Sequence, residues 1–168
     1  MRRVTAAAAV TAIILALTNL QGAEQKQIDV GTIITKADAE AALGEPVKEP
    51  QPRNGDGADG YYSRCNYYSQ NPGKSLVLRV RQAAAGQLEP KQQLDALSAG
   101  NPKIKPLSGL GDKAGLFSGG AENGISHELL LYVAKGNAFI TVAIGGIDDE
   151  KAALEKAKTL SKKILKQL

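Results

Sequence analysis

Four of the five tyrosines fall within eight residues, at Tyr61, Tyr62, Tyr67 and Tyr68, with Arg64 between them and Arg79 and Arg81 in the next apolar stretch. Alternate residues of a strand share a face, so Tyr62, Arg64 and Tyr68 would stand together. Arg79 joins them if its strand buries Leu76, Leu78 and Val80 on the other side. Tyrosine gives a large contact area at small conformational cost, and arginine a rigid donor fork. Tyr62, Arg64, Tyr68 and Arg79 are therefore the candidate binding residues, suited to an anionic or peptide partner. Tyrosine–arginine packing within the fold would give the same pattern with no partner involved.

The remaining reactive side chains form no set. His127 is the only histidine, and Glu128 beside it would point to the opposite face of a strand. Ser126, Asp112 and Glu122 lie near it at no diagnostic spacing, so neither a zinc site nor a serine–histidine–carboxylate arrangement is indicated. Cys65 is the sole cysteine, which excludes an intramolecular disulfide. Its place in an aromatic strand suits a small buried hydrophobe. An exposed thiol would instead permit a covalent dimer. Gly109-Leu110-Gly111-Asp112 matches neither the dinucleotide nor the phosphate-loop pattern, and reads as a tight turn launching a strand. Asp56-Gly57-Ala58-Asp59 lacks calcium-loop spacing. No catalytic residues, metal ligands or cofactor are predicted.

Several elements must position these residues. Thr35 is a good N-cap with Asp38 three residues on, and Gly44 and Pro46 stop the helix, giving Lys36 to Leu43 with Ala37, Ala41 and Leu43 near one face. PQPRNGDGADG, residues 50–60, reads as a loop. Strands follow at 61–69 and 75–82, paired as a hairpin around Asn71-Pro72-Gly73. A second helix spans Pro90 to Ser98, with Leu94 and Leu97 on one face. Further strands are expected at 113–118, 127–134 and 138–144, the last apolar on both faces and so central. Asp148 or Asp149 caps a final helix whose Ala153, Ala157, Leu160, Ile164 and Leu168 form a core stripe. The order α-β-β-α-β-β-β-α defines an α+β fold, an antiparallel sheet packed against helices.

The 168 residues suffice for one domain. Residues 1–23, a basic start followed by the apolar run Val4 to Leu17, read as a signal peptide. That run is shorter than the roughly 20 residues of a membrane span. Residues 24–33 read as a tether, and 34–168 as the single domain. Removing Arg2 and Arg3 leaves 19 basic residues against 17 acidic. Only the lysines of the final helix approach a basic face, and they read as solubilising, so no nucleic-acid partner is expected.

ITKADAEAALGEPV, SRCNY followed by LVLRVRQ, LSGLGDKAGLF and LLLYVAKGNAFITVAI together resemble small bacterial cell-envelope proteins, many of them lipoproteins of unassigned function. Some of these look PsbP-like, an α/β sandwich. The chain departs from the lipoproteins in having no cysteine near the end of its apolar run. The resemblance implies export to the periplasm or beyond, with no stable membrane insertion after signal removal, and carries no catalytic residue across. The expected function is a non-enzymatic envelope accessory or binding protein, partnered by an envelope protein or an anionic or peptide ligand. The alternative is a small periplasmic hydrolase assembled from distant residues, which a pocket joining His127, a carboxylate and a serine or Cys65 would mark.

Overall fold

A computed structural model describes residues 26–120 and 127–168. The proposed signal segment, Glu122 and Ser126 lie outside the described residues.

The fold is α+β: an antiparallel seven-stranded sheet with helices packed on it. In chain order the elements are α1 (Val30–Ile33), α2 (Lys36–Leu43), β1 (Gln51–Gly57), β2 (Gly60–Tyr68), β3 (Ser75–Ala83), α3 (Pro90–Gly100), β4 (Lys105–Leu107), β5 (Lys113–Gly119), β6 (Glu128–Lys135), β7 (Ala138–Gly145) and α4 (Glu150–Leu165). Spatially the strands run β1-β2-β3-β7-β6-β5-β4. The last strand in sequence is thus the central one. Its apolar character on both sides fits that place, with Ala138, Ile140, Val142 and Ile144 buried on one face and Phe139 on the other.

The main core lies between one face of the sheet and α1, α2 and α4. It is built from alternate strand residues, among them Cys65, Tyr67, Leu78, Leu131 and Ile140. The α4 stripe of Ala153, Ala157, Leu160 and Ile164 closes it. Asp149 caps that helix, its side chain accepting from the Ala152 N–H at 3.0 Å. In α2 the Thr35–Asp38 capping box forms in full, and Gly44 ends the helix in the left-handed region at φ 75°.

The opposite face is only partly covered. A smaller cluster of Leu94, Ala134 and Phe139, with Tyr132 against it, seats α3 over β5, β6 and β7. A methyl group at Gly115 would meet Leu94 and Ile104 side chains, so α3 approaches the sheet closely there. Among the described residues no helix lies over β1 and β2 on this face, and α3 reaches β3 at Arg81.

Three elements exceed the expected order α-β-β-α-β-β-β-α: α1, β1 and β4. The tether expected at 24–33 is, from Lys26 onward, part of the domain. The Ile28 N–H donates to Gln82 Oε1 at 2.6 Å, the Val30 N–H donates to Ser63 Oγ at 2.9 Å, and both residues are buried. The loop expected at 50–60 is mostly the edge strand β1, paired from Gln51↔Asn66 to Gly57↔Gly60. An edge position tolerates Pro52 and the glycines that argue against a strand elsewhere. In α2 the buried residues are Ala39, Ala42 and Leu43; Ala37 and Ala41 face solvent.

Candidate functional site

Pairing register brings the tyrosine–arginine set onto one face. Arg64 lies opposite Arg79 across β2 and β3, and Arg53 of β1 lies opposite Arg64. Directly paired residues share a face, so Arg53, Arg64 and Arg79 form a row across three adjacent strands on the uncovered part of the sheet. Strands sit about 4.8 Å apart, which places the row within about 10 Å. None of the seven ion pairs among the described residues involves any of the three.

The neighbours of Arg64 hold it in place. Its Nε donates to Asn66 Oδ1 at 2.9 Å, and Asn66 Nδ2 donates to the Tyr68 hydroxyl at 3.1 Å. This bond occupies Nε, and neither terminal guanidinium nitrogen has a hydrogen bond among the described residues. Tyr68 is 39% exposed and Tyr62 41%. Tyr62 donates its hydroxyl to both Asp59 oxygens, at 2.7 and 2.8 Å. That bond pushes the phenol up and holds the Asp59 carboxyl below its ordinary value.

Arg81, on the same face, has a different fate. It is buried, and its NH1 pairs with Asp59 at 3.1 Å while Nε donates to Gln93 Oε1 at 3.1 Å and NH2 to the Leu88 carbonyl. Arg81 therefore ties the β1–β2 turn to α3.

Beside the arginine row lies a cleft of about 640 Å³ between α3 and the sheet. Val77, Leu130, Ala143 and Thr141 contribute to its floor, Leu97 stands on the α3 side, and Arg79 joins cleft to row. Leu94 and Leu97, expected on one face of this helix, differ in burial. Leu94 is buried, whereas Leu97 is 39% exposed and lines the cleft.

All four expected residues, Tyr62, Arg64, Tyr68 and Arg79, thus lie on one face of the sheet, with Arg64 and Arg79 directly paired and Tyr62 and Tyr68 on either side along β2. Arg53 was missed because PQPRNGDG contains the residue types most depleted in strands. The one signal available was the short Ala58-Asp59 connection between Gly57 and Gly60, which suits a hairpin.

His127 and Cys65 are not brought together. Cys65 is buried in the main core, where burial pushes the thiol up and away from a nucleophilic role. His127 precedes β6, and neither residue lines the cleft beside the arginine row. Asp112 serves the fold: its carboxylate accepts from the Gly136 N–H and Lys135 Nζ, each at 2.9 Å. Gly111, at φ 56°, comes so close to the Ala134 carbonyl that a Cβ would lie 2.5 Å from its oxygen. Asp56 accepts from Gln27, and Asp59 is committed to Tyr62 and Arg81. No group of three or more metal-ligating side chains occurs among the described residues. No described helix is long and apolar enough to cross a membrane.

No protein-family model matches the chain, and neither the curated proteins nor the solved structures contain a match.

Proposed function

We propose that this is an exported, non-enzymatic accessory or binding protein of the bacterial cell envelope, with a PsbP-like sandwich fold. The observation that carries the binding reading is the Arg53–Arg64–Arg79 row, flanked by exposed Tyr62 and Tyr68 and free of ion pairs among the described residues. Like charges placed directly opposite one another weaken a sheet. A partner of opposite charge gives such a row a use. Export rests on the basic–apolar–polar order of residues 1–23, and the sandwich on helices lying against both faces of one antiparallel sheet.

Affinity capture from an envelope extract tests the binding reading. Tyr68→Ala with Arg79→Ala is the informative pair, since Tyr62 also holds Asp59 and so serves the fold. A partner should be captured reproducibly by the native chain and lost with the double variant, while the unfolding midpoint stays nearly unchanged. Retention of every partner by the variant would refute the reading. Export is tested by N-terminal sequencing of native protein, which should start near Glu24. Recovery of an intact Met1 form from the cytoplasm would contradict it.

A further inference from the structure

The two halves of the α3-bearing face are unequally furnished. Over β5, β6 and β7 it carries α3, which also meets Arg81 of β3; over the rest of β1, β2 and β3 none of the described helices lies on it, and α3 turns Leu97, beside Gln93, toward this gap, with Leu88 just ahead of the helix. Leu97, 39% exposed, and Leu88, 51% exposed, both line the cleft. The three strands β1, β2 and β3, at about 4.8 Å each, are about 14 Å wide. An α-helix with its side chains is about 10–12 Å across. There is room for one more helix beside α3.

Resting on the binding reading above, we infer that this gap accepts an acidic amphipathic helix of a partner protein, laid alongside α3. The chemistry differs across its width. Next to α3 the surface offers Leu97, Val77, Leu130 and Ala143, which suit an apolar edge. Farther out, Arg64 and Arg53 follow on β2 and β1, with Arg79 at the boundary. An incoming helix with apolar residues toward α3 and carboxylates on the outer edge meets both halves. Charge fixes the sign: among the described residues the three guanidinium groups carry no ion pair, and arginine takes carboxylates bidentately. Two carboxylates line the cleft: Asp59 is paired with Arg81, whereas Glu128, at the β6 end, forms no ion pair among the described residues, so carboxylates are disfavoured there and the acidic edge points toward β1. Helix-in-groove recognition of this kind reads apolar anchors at helical spacing and uses charge for orientation.

The test is panning of a displayed helical-peptide library against the full mature chain, followed by fluorescence anisotropy with each enriched peptide and its scramble. Enriched sequences should carry apolar residues at i, i+3/i+4 and i+7 with Asp or Glu on the adjacent edge. Their affinity should fall at least tenfold when Arg53, Arg64 and Arg79 are all changed to Gln, and at least tenfold with Leu97→Glu. It should weaken as salt is raised, because exposed charges are screened over about 8–10 Å near physiological ionic strength. Far-UV circular dichroism must show both variants folded; if Leu97→Glu is not, Leu97→Ser replaces it. The inference is overturned if nothing is enriched, if enriched peptides lack the acidic edge, or if scrambles or oligoglutamate bind equally well. Envelope capture separates the two readings. A captured partner lost with the triple Gln variant, together with failed panning, refutes the helix and leaves the binding protein. A partner retained by the triple variant refutes both.

Discussion

Arg64 stands opposite an arginine on each side, Arg53 on β1 and Arg79 on β3, so the repulsion it feels comes from two strands at once. Replacing Arg64 with Gln should raise stability by roughly 0.2–1 kcal/mol in urea unfolding, since like charges directly opposite one another are destabilising. The same change should weaken partner capture. A loss of stability instead would mean that the Arg64–Asn66–Tyr68 chain of hydrogen bonds outweighs the repulsion. Tyr67, on the other face of β2, is a contrasting case. Its ring is fully buried and its hydroxyl donates to the Ile34 carbonyl, joining the sheet to the segment between α1 and α2. Burial drives its phenol strongly upward, so it remains a neutral donor at any physiological pH. Tyr67→Phe removes that donor and leaves a buried carbonyl without its bond, which should cost about 1–3 kcal/mol by denaturant unfolding. Alternation in the sequence separates the two roles: Tyr62, Arg64 and Tyr68 point one way and Cys65 and Tyr67 the other.

Elements with strong local signals were legible, and those built on tertiary context were not. The Thr35–Asp38 box and Gly44 bounded α2 correctly, because capping is chemistry within one turn. The face that α2 buries was misjudged. Ala37 and Ala41 are as apolar as Ala39 and Ala42, so with alanine nearly all round the sequence does not say which side docks. β1 was hidden for a related reason: its residues are all exposed, so no apolar alternation marks it, and pairing with β2 alone makes it a strand. The candidate site suffered the same loss, since Arg53 lies on that strand. The helix α4 has an unambiguous stripe. Leu160→Ala or Ile164→Ala should each cost roughly 2–5 kcal/mol in denaturant unfolding, because both side chains lie in the core and truncation leaves a cavity. Ser161 breaks the pattern. It is fully buried and its hydroxyl finds no hydrogen-bond partner among the described residues. Ser161→Ala removes an unsatisfied group and improves helix propensity, so stability should rise by up to about 1 kcal/mol. A loss in the same experiment would show that the hydroxyl is satisfied in solution.

At the scale of the whole molecule the fold has two unequal parts. The main core joins α1, α2 and α4 to one face of the sheet, while α3 is held on the other by Leu94, Ala134 and Phe139 and by the bonds of Arg81. Local opening free energies follow the apolar contact that holds a segment, so α3 should open before α4. Native-state hydrogen exchange should show faster exchange in α3 amides than in α4 amides. Arg81→Gln should widen the difference. The variant loses bonds to Gln93 and the Leu88 carbonyl, at a cost of about 2 kcal/mol, falling on α3 and leaving α4 protection unchanged. Acid should act at the same place. The Asp59 carboxyl is held below its ordinary value by Tyr62 and, further, by Arg81. Its contribution is therefore fully present above the pKa of the unfolded chain and is lost as pH falls through the depressed folded value. Lowering the pH through and below the ordinary carboxylate range should loosen α3 in the native chain, and less so in Arg81→Gln, where the arginine's share of that depression is gone. The consequence reaches the cleft, since Leu97 and Gln93 move with α3. Equal protection of α3 and α4, or an Arg81→Gln effect spread evenly over both helices, would show that the molecule opens as one unit and that the α3 wall of the cleft is as rigid as the core.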